Sequence, residues 1–335
     1  MTFWYLLTHL TLMLTTRPLT PGAGPGARLF ILADTLPVAT VPDSLARTVA
    51  EPDRQPYLRV VERPAESFMI HRISFVGDFL ARLNYQETPT QQPFDSLSRL
   101  TYPRDRYIRM LFNEDDPRLN PRSDRYNPTY RLLADEFVTT VTTDTAAVFL
   151  PKNTEQLFGE VEYAVLYRNT PQKVRFYLKR HQTGSTYAWT LIDAEAPFLK
   201  NAKTDTLPAA LPKRDTTARY LSSETHETQF LTLYNELSSR KNLLTISLEG
   251  YPVSKTLSRV ARAFRDGSLS VQQTQQVHLY LDVRQGWVLK LTDFHREKDN
   301  AGWLITDLYN PAFRILLPAP IDRYRQWAVT AKKSN

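Results

Sequence analysis

No cysteine occurs among the 335 residues, which excludes disulfides, thiolate metal sites, a cysteine nucleophile and a cysteine-linked lipid anchor. Glycine is scarce too, with ten against twenty-three prolines. With so few glycines a loop whose backbone amides cradle a nucleotide phosphate is hard to build. Neither a P-loop nor a GxSxG elbow is present, and HExxH and CxxC are also missing. These absences give no handle for a cofactor. Beyond the first segment no run of about eighteen apolar residues occurs, so no internal membrane span is expected.

Apolar residues make up 42% of the chain and aromatics 11%, enough for packed cores, and the length accommodates roughly two domains. A net charge of +7 fits an acidic partner or a headgroup surface but demands neither.

The opening stretch, "MTFWYLLTHLTLML", has the length and apolarity of a signal-peptide core, although no Lys or Arg precedes it. Residues 1–30 therefore read either as an export signal or as a start without structure. Export would place the protein in the periplasm or outside the cell; otherwise it is cytoplasmic. Residues 31–65, rich in Pro, Asp, Glu and Arg, read as a tether.

Folded sequence is expected from Glu66. Met69, Ile73, Val76, Leu80 and Leu83 recur at helical spacing, and Phe68, Phe75 and Phe79 widen the same face. A second helix is predicted over Pro103–Phe112, with Ile108, Leu111 and Phe112 inward, and a third from Pro128 carrying Leu132, Leu133 and Phe137. In "DEFVTTVTTDTAAVFLP" β-branched residues take over, and a meander follows through "VEYAVLYR", "VRFYLKR" and "YAWTLIDA". Residues 66–199 form one α+β unit on this reading.

Residues 200–220 lack periodicity and read as a linker, after which the order repeats over 221–318. Ser222 or Ser223 caps a helix bearing Phe230, Leu233, Tyr234 and Leu237. "SKTLSRVARAFR" is a second helix, and "VHLYLDV", "WVLKL" and "GWLITDLY" are strands. Residues 319–335 read as a tail. The spacing from Val174 to Trp189 nearly matches that from Trp287 to Trp303, and His71, Phe75 and Phe79 reappear as His226, Phe230 and Tyr234. Two tandem copies, each of helices packed on a strongly curved antiparallel sheet, account for this economically.

That element order, with a Trp-led last strand, resembles the nuclear-transport-factor-2-like (cone-shaped α+β) superfamily. "THETQFLTLYNEL", "VHLYLDVRQGWVLKLTDFHRE" and "NAGWLITDL" also resemble bacterial proteins carrying two such units. The resemblance spans roughly Glu66 to Pro311 and implies a fold with a pocket. The superfamily includes ligand binders, isomerases, dehydratases and assembly modules, so it implies no particular reaction.

Three groups of residues could carry chemistry. His278, Tyr280 and Asp282 alternate on one face of a strand, either as an acid–base trio in a cavity or, because Val277, Leu279 and Leu281 face the helices, turned to solvent or to the other unit as an inter-unit face. Lys255, Arg259 and Arg262 line one side of a helix, as a stripe for phosphate or an acidic protein, or as an ordinary solvated face. His295, Glu297 and Asp299 are metal-ligand types in a hairpin loop, where charge is expected anyway, so no metal is assigned. His71 and His226 sit beside aromatics on matching helices. In "YPRDRYIRM" and "PRSDRYNPTYR" acidic residues cancel the Arg charge, which argues against nucleic acid.

The leading expectation is a non-enzymatic binding or assembly protein whose two units meet through outer faces bearing Tyr163, Tyr167 and Tyr280. Its partner is a protein or a small molecule. The alternative is a small-molecule binder or an isomerase- or dehydratase-type enzyme with a pocket between sheet and helices.

Overall fold

The computed structural model describes residues 73–143, 150–151, 154–183, 186–199, 221–222, 230–239, 242–283, 286–297, 300–313 and 315–334. Helix α1 (Val76–Leu83) starts later than the spacing predicts. Asp78 accepts a hydrogen bond from the Phe75 amide at 3.1 Å and so fixes the first turn. Upstream, Ile73 is pulled into extended pairing: its amide donates to Ala301 and its carbonyl accepts from Trp303. Phe75 is consequently exposed rather than inward.

Helices α2 (Ser96–Thr101) and α3 (Arg104–Arg109) follow, with Ile108, Leu111 and Phe112 buried as expected. Helix α4 (Pro128–Thr143) runs straight through the "TTVTT" segment that β-propensity assigned to a strand. Tyr130, Leu133, Ala134, Phe137, Val138 and Val141 form one continuous buried stripe, and that burial overrides the local preference. Leu132 points to solvent.

The strands are β1 (Leu157–Tyr167), β2 (Thr170–Thr183), β3 (Thr186–Glu195), β4 (Leu221–Ser222), β5 (Leu269–Asp282), β6 (Val288–Phe294) and β7 (Gly302–Tyr309). Helices α5 (Leu231–Ser238) and α6 (Lys255–Arg265) precede β5, and α7 (Ala319–Ser334) ends the chain. Residues 319–335, read as a tail, are thus largely helical. Ser222 pairs with Ala188 in β4 instead of capping a helix, because the chain is still extended there. Ser223, His226, His71, the linker over 200–217 and the N-terminal stretch lie outside the described residues.

All seven strands form one antiparallel sheet in the order β4-β3-β2-β1-β5-β6-β7. Register shifts within the β1–β5, β2–β3 and β6–β7 ladders bend it. Leaving aside two-residue β4, the order reads alike from either end: each half contributes a three-stranded meander whose first strand lies at the centre. The halves therefore join edge to edge through β1 and β5, and not through outer faces as expected. Backbone pairing along both strands satisfies two edges at once, which a face-to-face contact would leave open. The described elements of both halves fall in one compact unit.

Two hydrophobic layers follow from strand alternation. On the first face Val161, Tyr163, Phe176, Trp189, Leu279, Leu291 and Trp303 pack with Phe79, Phe137, Leu233, Val260 and Phe264 of the helices. Tyr163 thus belongs to the interior and not to an outer face. On the second face a smaller cluster of Phe158, Tyr177, Ile192, Tyr280 and Val288 is closed by Ile321 of α7. Among the described residues no helix is long and apolar enough to cross a membrane.

Candidate functional site

Alternation along β5 sends Leu279 and Leu281 into the helix-side core and turns His278, Tyr280 and Asp282 to the second face. The three residues do not converge on a single reacting point, because each is engaged by a different neighbour. Tyr280 donates its hydroxyl to Glu160 Oε2 at 2.6 Å. His278 Nδ1 lies 2.9 Å from Thr292 Oγ1, which in turn lies 3.0 Å from Thr306 Oγ1. Asp282 is paired with Arg325 of α7, Nε to Oδ2 at 3.0 Å.

Electrostatics follow from this burial. Desolvation lowers the His278 pKa to about 4, with Lys290 and Arg175 further opposing a second positive charge, so the ring is neutral at physiological pH. Burial raises Asp282 above the usual carboxylate range, and Arg325 only partly offsets it. The Tyr280 hydroxyl is pushed strongly up by burial and by the neighbouring Glu160.

Glu160 and Glu162, two residues apart on β1, are both buried and share Arg175, at 3.3 Å and 3.0 Å. Lys173 adds a 2.7 Å contact to Glu162. Burial alone would raise the Glu162 pKa, but the hydrogen bonds from Lys173 and Arg175 outweigh it and hold it low. Tyr177 donates to Glu195 at 3.0 Å, and Arg323 of α7 reaches buried Asp193 at 2.5 Å. Sequence reasoning named none of these partners. Folding β1 and β2 about their short turn does pair Glu162 with Arg175 and Glu160 with Tyr177, a signal that was there to read.

The basic stripe lies on α6, whose N-terminus is capped by Ser254. Lys255 is exposed, whereas Arg259 donates to the Leu199 carbonyl at 3.3 Å and Arg262 is half-buried. Only part of the stripe is therefore free surface. His295 lies 3.0 Å from Asp293, Glu297 is exposed, and Asp299 falls outside the described residues. Among the described residues no three His, Asp or Glu side chains are grouped to hold a metal.

Clefts among the described residues include the following three. β6 accompanies β5 only from Asp282 back to His278, while Asp293 and Phe294 stay with β7. Where the strands part, a cleft of about 580 Å³ opens, lined by Gln272 to His278, Thr292, Asp293 and Tyr234. A cleft of about 340 Å³ has an apolar floor of Ile73, Leu111, Phe112 and Leu304, with Arg82 and Arg109 at its walls. The third, about 630 Å³, runs between α7 and the second face past Phe158, Lys179, Asp282 and Arg325.

The chain matches no protein-family model, no curated protein and no solved structure.

Proposed function

We propose that this protein is a non-enzymatic binding or assembly module, composed of two cone-shaped, nuclear-transport-factor-2-like α+β halves fused through a shared sheet. The observation that carries this reading is the saturation of the second face. Glu160, Glu162, Asp193 and Asp282 each sit in an ion pair, and His278 is neutral and bonded to Thr292. A general acid or base needs a proton it can exchange with a substrate, and these groups are committed to one another. The interior between sheet and helices is filled by Trp189, Trp287, Trp303 and their aromatic neighbours. The symmetric strand order, and the burial of Trp189 on β3 and Trp303 on β7, support the duplicated origin.

Catalytic groups are held at a cost to stability, so replacing one generally leaves a fold as stable or more so. Structural ion pairs behave oppositely. Arg175→Met removes the cation that buried Glu160 and Glu162 share, leaving Lys173 on Glu162 and the Tyr280 hydroxyl on Glu160, and is expected to cost roughly 1–3 kcal/mol, discounted for the partial exposure of the arginine. An unchanged or raised melting temperature in this variant would revive the enzyme reading.

One observation favours a second reading, a carrier for a small apolar anion. The 340 Å³ cleft combines an apolar floor with Arg82, whose side chain is buried. Stabilisation of the full chain by a medium-chain carboxylate, lost in Leu304→Trp, would establish it.

A further inference from the structure

Helix α7 covers the second face of the sheet but is lightly held there. Among its described side chains only Pro320 and Ile321 are buried, and none belongs to the larger core between sheet and helices. Tyr324 meets Phe158 at a ring-centroid distance of 5.5 Å while staying half-buried, and Trp327 reaches Tyr251 at 5.1 Å. Two ion pairs complete the attachment, Arg323 to Asp193 and Arg325 to Asp282, and more than half of the Arg323 side chain faces solvent. A pair so exposed holds weakly. The arm leading from β7 to α7 runs from Pro311 to Pro318. Main-chain bonds at its two ends close local turns, Phe313 onto Asn310 and Ile321 onto Pro318.

What α7 covers is more firmly built than its own grip. Phe158, Tyr177, Ile192, Tyr280 and Val288 form an apolar strip carried by β1, β2, β3, β5 and β6, whose positions the sheet ladders fix. Asp193 on β3 and Asp282 on β5 present the carboxylates that meet the arginines. Asp193 also accepts from Ser254 Oγ, the cap of α6, at 2.5 Å, and so keeps a partner when Arg323 departs. We propose that this groove is a docking site for a basic amphipathic helix of a partner protein, and that α7 is the resident helix which the partner displaces. α7 itself shows the chemistry that fits. Ile321 and Tyr324, one turn apart, enter the strip, while Arg323 and Arg325 reach the carboxylates. Charge complementarity admits a guest with arginines beside its apolar pair and repels an acidic one. The inference rests on the binding reading above and gives it a surface, a partner chemistry and a guard.

The test uses the full chain and, as probe, a fluorescent synthetic peptide with the sequence of Leu317 to Ser334. The peptide is expected to bind the parent chain, and to bind Ile321→Ala roughly tenfold more tightly or better, because the resident helix of that variant has lost its buried anchor. Arg323→Ala with Arg325→Ala, which alters only the ion pairs, is expected to act in the same direction and serves if the first variant fails to fold. A second peptide of unrelated helical sequence, keeping only the Ile, Tyr and both Arg at these spacings, should bind within about tenfold of the first. Replacing its arginines by glutamate should weaken it by roughly tenfold or more. Hydrogen exchange in the free chain is expected to be roughly tenfold faster or more at the amides of Tyr324 to Trp327 than at those of Val161 and Leu279, and faster still with peptide bound. No binding, equal binding to parent and variants, or undiminished binding of the glutamate peptide overturns the proposal. Exchange of α7 only through global unfolding overturns it too, as do concentration-dependent dimers that swap α7, which would assign the groove to a second copy. None of these outcomes touches the Arg175→Met prediction, so the binding reading stands or falls separately.

Discussion

Tyr280 and Glu160 meet across the central β1–β5 junction, hydroxyl to carboxylate at 2.6 Å, both buried. The bond ties the two halves of the chain together through side chains at the place where their backbones pair. Tyr280→Phe removes the donor while keeping the ring that packs beside Tyr309. A buried charge-assisted bond of this kind is worth about 1–3 kcal/mol. Urea unfolding should show that loss as a lower midpoint with an unchanged slope.

His278 gives the fold an acid-sensitive element. Its pKa falls from 6.5 to about 4 on folding, so the unfolded chain binds more protons between those values. Stability therefore holds above pH 6.5 and declines as pH drops toward 4, by roughly 2 kcal/mol at pH 5. Asp282, raised by burial, works in the opposite sense at lower pH, since its protonated form is favoured in the fold. His278→Gln should flatten the melting-temperature profile between pH 7 and pH 5. A profile as steep as that of the parent would assign the acid response to other groups.

Gly302 is irreplaceable on geometric grounds. Its φ of +80° is one that side-chain-bearing residues rarely adopt, and a Cβ there would lie 2.1 Å from the Ile73 carbonyl oxygen. Gly302→Ala combines backbone strain with a clash against the chain that carries Ile73 into place. A cost above about 3 kcal/mol is expected, read as lost soluble yield or a melting temperature many degrees lower. Gly77→Ala is the control, because nothing lies within 4 Å of the added methyl group.

Separate halves should not survive alone. Fragments spanning 66–199 and 221–335 each bare one long central strand edge, β1 or β5. Expressed singly they are expected to aggregate, and expressed together to recover a soluble complex. Two monomeric fragments with cooperative melting would show that the central ladder is dispensable.

Both meanders and helix α6 were legible because their signals are local. Alternation marked the strands, and Leu257, Val260 and Phe264 marked one face of α6. In helix α4 the β-branched run Thr139 to Thr143 hides a stripe that runs back to Tyr130, a case of propensity losing to burial. Helix α7 is hard to read in the sequence because proline and charge dilute Ile321 and Tyr324, although their spacing is helical. The central ladder could not be read at all. It pairs Val161 with Val277, far apart in sequence, and no local pattern tells a strand which distant edge it will meet. Strand alternation puts His278, Tyr280 and Asp282 on one face, but the partners that engage Tyr280 and Asp282, Glu160 and Arg325, arrive from β1 and from the C-terminal helix.

The central ladder also sets the order in which a ribosome can deliver this protein. β1 emerges long before β5 is translated, and until then the nascent first half shows an uncapped edge flanked by Tyr163 and Val165. Contacts of such large sequence separation slow the final docking step and lengthen the interval in which stray chains can attach. A dependence on holdase chaperones during synthesis, easing once β5 clears the exit tunnel, is built into where the two halves join.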